Sequence, residues 1–253
     1  MVKMKSLLRS SRPETAFEFE EKPSGSPLVQ TLWRTRSEQA GRFTSRAVSH
    51  CELVVTRVGG HTSLTVRGPE TRATVVDCPE DAEIFGIQFK LGSFIPSLPN
   101  PHLVDRHATL PNATSDSFWL DDSVWSTPTF EDADLFVERL VRHGLLRFEP
   151  SVKAVLQAEF HPNSLSIRSV QRRFVQATGV THRTLRQIER ARAAATLLER
   201  GMSIADVVET LNFSDQPHLT KTLKHLIGQT PARLSASGEQ ITPYPHPSSE
   251  LED

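Results

Sequence analysis

The chain has 253 residues, 37% hydrophobic and 23% charged, with 29 Lys and Arg against 30 Asp and Glu. This composition is globular, and the length accommodates two domains of ordinary size. No apolar run approaches the roughly 18 to 20 residues of a membrane span, and MVKMKSLLRSSRP has a basic head but no apolar core before Pro13, so neither a span nor a secretory signal is expected.

The expected location is cytoplasmic, with Cys51 and Cys78 as reduced thiols rather than a disulfide. Residues 1–26, of mixed charge and containing KPSGSP, read as a flexible arm with one short strand near 16–19. From 28 to 91 the period is two: Leu53 and Val55 alternate with Glu52, Val54 and Thr56, Leu64 and Val66 flank Thr65, and Ile87 and Phe89 alternate with Gln88 and Lys90. Gly59-Gly60, Gly68-Pro69 and Cys78-Pro79 cut this stretch into short strands, and no helical pattern intervenes to make parallel crossovers. An antiparallel sandwich or small barrel is therefore expected.

Residues 96–128 are rich in Pro, Asn, Ser and Asp, with aromatic islands at Phe118-Trp119 and Trp125. The stretch is too long for a plain connector. Trp119 and Trp125 are either the lining of a ligand pocket or plugs in the core beneath a loop. Thr129 with Asp132 then opens a helix whose Phe130, Ala133, Phe136, Val137, Leu140 and Val141 form a wide apolar stripe ending at Gly144. That stripe packs on the sheet or on its copy in a second subunit. Ser151 caps a further helix, VKAVLQAEF.

The near-neutral total conceals an asymmetry. Residues 151–234 carry 12 Lys and Arg against 6 Asp and Glu, residues 1–150 carry 17 against 20, and residues 235–253 carry none against 4. Concentrated positive charge is the footprint of phosphate binding, although arginine-rich helix faces can also be merely solvated. Within the basic segment, residues 166–178 place Ile167, Val170, Phe174 and Ala177 on one side of a helix and Arg168, Gln171 and Arg172 on the other, with Gly179 as the stop. Arg pairs bidentately with guanine and Gln with adenine, so these are the side chains that base reading requires.

Residues 181–200 form a long helix with Leu185, Ile188, Ala191, Ala195 and Leu198 inward and Arg183, Arg186, Arg190 and Arg192 available to solvent or phosphate. Its length of about 30 Å is close to the spacing of successive major-groove faces. Ser203 and Asp206 make a capping box for a helix with Ile204, Val207, Val208 and Leu211 inward, and Asn212 and Phe213 occupy the bend. Residues 214–231, SDQPHLTKTLKHLIGQTP, then give a helix capped by Ser214 with Pro217 in its first turn and Gly228 and Pro231 as stops. Leu219, Leu223, Leu226 and Ile227 share its apolar stripe, while Gln216, His218, Thr220, Lys221 and Lys224 offer donors and positive charge without an acid. Helix, tight turn and second helix is the helix-turn-helix layout. A packed helical hairpin with a solvated face is the bland alternative.

SIRSVQRRFVQATGVTHRTLRQIERARAAATLL followed by SIADVVETLNFSDQPHLTKTLKHLIGQTP resembles the paired helix-turn-helix domain of AraC-type bacterial transcription regulators. The markers run in order through Phe174 and Gly179, Ala194 and Leu197-Leu198, Phe213, Asp215-Gln216, Lys224 and Gly228-x-Thr230-Pro231. The resemblance implies that Arg168, Gln171 and Arg172 read one major groove of double-stranded DNA and that Gln216, His218, Thr220, Lys221 and Lys224 serve the next. The amino-terminal half, with Trp33, Glu52-Leu53, Gly68-Pro69, Gly86-Ile87-x-Phe89-Lys90 and Phe118-Trp119-Leu120, more loosely resembles cupin-like sensor domains. Three departures mark the second motif, Val208 for the usual Ala, Asn212 for the usual turn Gly and Leu223 for the usual aromatic. In the first, only AEFHPNSL separates Gln157 from Ser166, so the motif looks truncated.

His50, Cys51, His61 and Cys78 match no compact zinc spacing, the cupin-type His-x-His cluster is missing, and no phosphate loop, HExxH or GxSxG is present, so no metal, cofactor or catalytic residue is expected. The expected fold class is α+β in two domains: an arm at 1–26, an antiparallel barrel or sandwich with a helix at 27–148, an all-α tandem helix-turn-helix at 149–234, and a disordered tail at 235–253. The expected function is a non-enzymatic, cytoplasmic, sequence-specific DNA-binding transcription regulator whose amino-terminal domain senses a small molecule or a partner, forming a homodimer in one version and contacting RNA polymerase if it activates. A barrel enzyme with a helical appendage, or a regulator acting only through protein contacts, is the alternative.

Overall fold

The computed structural model describes residues 17–156 and 167–237. The amino-terminal half holds strands β1 (Phe17–Lys22), β2 (Val29–Ser37), β3 (Gly41–Ser45), β4 (Glu52–Val58), β5 (His61–Arg67), β6 (Thr74–Cys78), β7 (Glu83–Phe89) and β8 (Ser93–Phe94), then helix α1 (Asn100–Leu103). β9 (His107–Thr109), β10 (Ser117–Leu120), β11 (Ser123–Ser126), α2 (Ala133–Arg142) and β12 (Arg147–Phe148) follow. The strand expected near 16–19 is β1, paired with β2 along its whole length, so the sheet begins well inside the stretch read as an arm. Residues 1–16 of that arm lie outside the described residues.

Six strands form one antiparallel sheet in the order β1-β2-β7-β4-β5-β9. The ends, β1 and β9, do not pair, so the layered alternative of the sequence reading holds and barrel closure does not. Period-two alternation gives the sheet two different faces. Leu32, Leu53, Val55, Leu64, Val66, Phe85, Ile87 and Phe89 pack on one side with Phe118, Leu120, Trp125, Phe136, Val137 and Leu140. The stripe of α2 therefore buries on the sheet of its own chain, each fully buried large side chain contributing about 1.5 to 3 kcal/mol. Thr129 and Asp132 exchange the expected capping bonds, at 2.7 and 3.3 Å.

On the other face lie Trp33, Thr35, Val54, Thr56, Thr65, Arg67 and Ile84. Across a cavity of about 420 Å³ they confront Phe43, Thr74, Val76 and Cys78 of a two-stranded ribbon, β3 paired with β6. Gly86 sits opposite Trp33 in the register of β2 and β7, and a Cβ there would come within 2.2 Å of the indole. Only hydrogen at this position lets the ring lie flat on the strand. Trp33 Nε1 donates to Glu52 Oε2 at 3.3 Å, Arg67 bridges Glu52 and Glu70, and Ser45 Oγ donates to Glu70 Oε2 at 2.8 Å. A buried polar chain thus runs from the cavity floor to the ribbon. Of the two tryptophans considered as pocket lining, Trp125 is buried in the opposite core and Trp119 is 42% exposed.

The helical half comprises α3 (Ser151–Leu156), α4 (Ile167–Thr178), α5 (His182–Glu199), α6 (Ile204–Thr210), α7 (Gln216–Leu226) and α8 (Pro231–Ser237). The remainder of the VKAVLQAEF helix, the AEFHPNSL connection and the end of the expected tail lie outside the described residues, whereas the tail's first three residues complete α8. One core joins α5, α6, α7 and α8 through Ile188, Ala194, Leu198, Val207, Phe213, Leu219, Leu223 and Leu234. A second joins α3, α4 and the start of α5 through Val152, Phe174, Ala177 and Leu185, and takes in Leu91, Phe94 and Val104 from the sheet half.

The halves are fastened together at both ends. Arg46 and Glu199, 9% and 8% exposed, form an ion pair, and Ser49 Oγ donates to Glu189 Oε1 at 2.6 Å. Ala47 N–H donates to the Leu226 carbonyl at 2.7 Å, Ala73 N–H to that of His225 at 2.8 Å, and Asn100 Nδ2 to that of Ala177 at 2.6 Å. Gly228, at φ +80°, ends α7 directly beneath the ribbon, where a Cβ would meet Thr44 at 2.6 Å.

Candidate nucleic-acid interface

α7 forms because its two faces differ at helical spacing. Leu219, Leu223 and Leu226 are buried, whereas Gln216, Lys221, Lys224 and His225 are exposed. Gln216, Pro217, Thr220, Lys221, Lys224 and His225 line one open concavity. Of these, Pro217, read only as a first-turn residue, and His225 were not among the residues expected to face DNA. The signal was there, since positions 217, 221 and 225 form one i, i+4 row beside 216, 220 and 224.

The cap differs from expectation. Asp215, not Ser214, caps α7, its Oδ1 accepting from His218 N–H at 2.7 Å, while Ser214 Oγ lies 2.9 Å from His218 Nδ1. An ionised Asp satisfies the orphan N–H and also meets the positive end of the helix dipole, which a Ser hydroxyl does not. His218 is therefore tied to its own cap, with its ring edge-on to Phe213 at 5.3 Å, and it does not line the concavity. Asn212 takes φ +54°, the left-handed turn its side chain tolerates best after Gly. Ser203 caps α6 by accepting from Asp206 N–H at 3.1 Å.

On α4, Arg168, Gln171 and Arg172 are exposed, and Val170, Phe174 and Ala177 are buried. None of the three exposed residues lines the α7 concavity. The motif that looked truncated has a short partner, since α3 sets Val152 and Val155 against Phe174 and Ala177, and the sheet half covers the rest. His182, beside the Phe174 ring, is held below its ordinary pKa by burial and by Arg186.

α5 carries both motifs; its 18 residues span about 27 Å. Of the four arginines read as available to solvent or phosphate, Arg183 and Arg186 are exposed, but two are engaged within the protein. Arg192 Nη1 donates to the Ala47 carbonyl at 3.1 Å, and Arg190 lies on Phe213. Chemically, α4 and α7 each present cations and amide donors on a face backed by a packed stripe, the combination that contacts phosphate and base edges.

Residues 163–237 match the family model described as a helix-turn-helix domain. The HTH-type transcriptional regulator RipA of Corynebacterium diphtheriae is 32% identical to this chain over 111 residues, covering 42% of this chain and 32% of that protein. The chain thus spans about a third of the length of the curated relative it matches. No solved structure matches it. Taken with the buried stripes of α4, α5 and α7 and the side-chain caps of α5, α6 and α7, these likenesses make residues 163–237 a helix-turn-helix domain of the AraC type.

Proposed function

We propose that this chain is a sequence-specific DNA-binding transcription regulator whose sheet half senses a small molecule. The observation that carries the DNA reading is α7: an exposed face of cations and donors, a fully buried opposite stripe, and defined caps at both ends. In this reading Gln216, His218, Thr220, Lys221 and Lys224 serve one major groove, and Arg168, Gln171 and Arg172 serve another. Double-stranded DNA is the principal partner, with RNA polymerase a further one if the regulator activates and a second copy of the chain if it dimerises. The reading assigns no catalytic residue or cofactor, and it places the protein in the cytoplasm.

Selection of bound sites from random duplexes, run with the full chain, tests it. Lys221→Ala should weaken binding evenly across sequences and make the salt dependence shallower by roughly one. Gln216→Ala or Arg172→Ala should relax preference at one or two base pairs, by about 1 to 3 kcal/mol. Unchanged affinity and preference in all three variants would count against the assignment.

The sensing half of the proposal rests on the cavity. Its volume falls within the range of small-molecule sites. It joins two aromatic rings, Trp33 and Phe43, to the Thr35 hydroxyl, which is buried and has no hydrogen-bond partner among the described residues. Thr35→Phe fills the space. A melting shift produced in the wild type by a small-molecule extract should vanish in that variant, and a shift that survives it argues against this site.

A further inference from the structure

We propose that Arg190 is a positioning residue for the α7 reading surface, holding the bend between α6 and α7 through Phe213 and, through Phe213, the ring of His218. The inference rests on the DNA-binding reading above. An arginine on a helix in a basic segment is ordinarily assigned to solvent or to phosphate. Here the Arg190 guanidinium lies 4.4 Å from the centre of the Phe213 ring, and its Nη1 donates to the Asn212 carbonyl at 3.4 Å.

Both contacts fall on the bend itself. Asn212 is the residue at positive φ, and its carbonyl lies just beyond the C-terminal end of α6, where a cation is favoured by the helix dipole. Phe213, buried, carries Arg190 and also the edge-on imidazole of His218. His218 is fixed in turn by Ser214 Oγ at Nδ1 and by Asp215 at its backbone N–H. The chain Arg190, Phe213, His218 therefore links the long helix to the first turn of α7. A planar guanidinium can stack on the ring and donate to the carbonyl together, whereas an ammonium supplies charge without the plane, so Lys should not substitute.

The test uses the full chain with its selected duplex, the same duplex altered at base pairs under α7, and an unrelated duplex, each titrated over a range of salt. Arg190→Ala and Arg190→Lys should both lose about tenfold in discrimination among the altered duplexes, roughly 1.4 kcal/mol. Affinity for the unrelated duplex and the salt slope should match the wild type. His218→Ala should lose the same discrimination, and adding Arg190→Ala to it should cost little more, because residues acting as one unit are not additive.

Four results overturn the inference while leaving the DNA reading intact. One is a slope shallower by about one in Arg190→Ala, which means direct phosphate contact. Another is full discrimination retained in either Arg190 variant. The third is additive loss in the double variant. The last is equal weakening on every duplex together with a lowered melting temperature, the mark of a merely structural role. A wild-type chain with no sequence preference removes the DNA reading itself and this inference with it.

Discussion

The two helix-turn-helix motifs are built on different foundations. The apolar core of the second is almost wholly its own: α6 lies beside α7, α5 and α8 complete it with Ala47 alone from the sheet half, and both helices begin at side-chain caps. The first borrows. α4 rests on a six-residue α3 and on Leu91, Phe94, Val104 and Asn100 of the sheet half. Both reading helices thus meet the sheet half, α4 through a shared apolar core and α7 through backbone hydrogen bonds at its C-terminal end, from Ala47 N–H to Leu226 and from Ala73 N–H to His225.

Core truncations should expose the contrast most strongly. Phe174→Ala removes the centre of the shared core and should cost about 3 to 5 kcal/mol. Hydrogen exchange should then rise in α1 and β8 as well as in α4; an effect confined to α4 and α5 would erase the distinction. Leu223→Ala, at the heart of the other core, should cost about 2 to 5 kcal/mol and leave β8 and α1 protected. Asn100→Ala comes next, at about 1 to 3 kcal/mol, because it strands the Ala177 carbonyl at the end of α4. Its signature should be faster exchange in α4 with α7 unaffected.

A further prediction concerns pH. His50 lies at the seam, its Nδ1 3.1 Å from Gln88 Nε2 and its Nε2 buried without a partner among the described residues. Burial first, then Arg192 and Arg67, lower its pKa from 6.5 to about 3. Above pH 6.5 both the folded and unfolded forms keep the imidazole neutral. Between 6.5 and about 3 the unfolded chain takes a proton that the folded one refuses, so stability falls with falling pH. His50→Gln should flatten denaturant midpoints measured across that window, and an unchanged pH profile would show that the seam opens before His50 charges.

Much of this was legible in the residues. The period of two located β4, β5 and β7, and the 3.6-residue stripes located α4 to α7, because one buried face imposes one pattern; β9, β10 and β11 fell in a stretch read as a loop. Asn212 and Gly228 announced the turns through backbone demands that few other residues meet. What stayed hidden depends on long-range packing. Asp215 outcompeted Ser214 because charge adds to capping, a difference decided by where the chain enters the helix. Arg190 and Arg192 looked free because helical spacing reports which side of a helix faces outward, not which distant segment comes to meet it. Trp33, rather than Trp119 or Trp125, reached the cavity because Gly86 left room across the strand, a pairing separated by about fifty positions and visible only in register.

The β3–β6 ribbon has a consequence beyond stability. Because successive side chains alternate, Phe43 and Val76 wall the cavity while Thr44 bears on the turn that ends α7, with Ala73 just beyond the strand end. One narrow strip of backbone is therefore both the inner lining of one compartment and the footing of another. An occupant that favours one posture of that strip would change the hold on a duplex by some factor, and thermodynamic reciprocity then requires the duplex to change the hold on the occupant by the same factor.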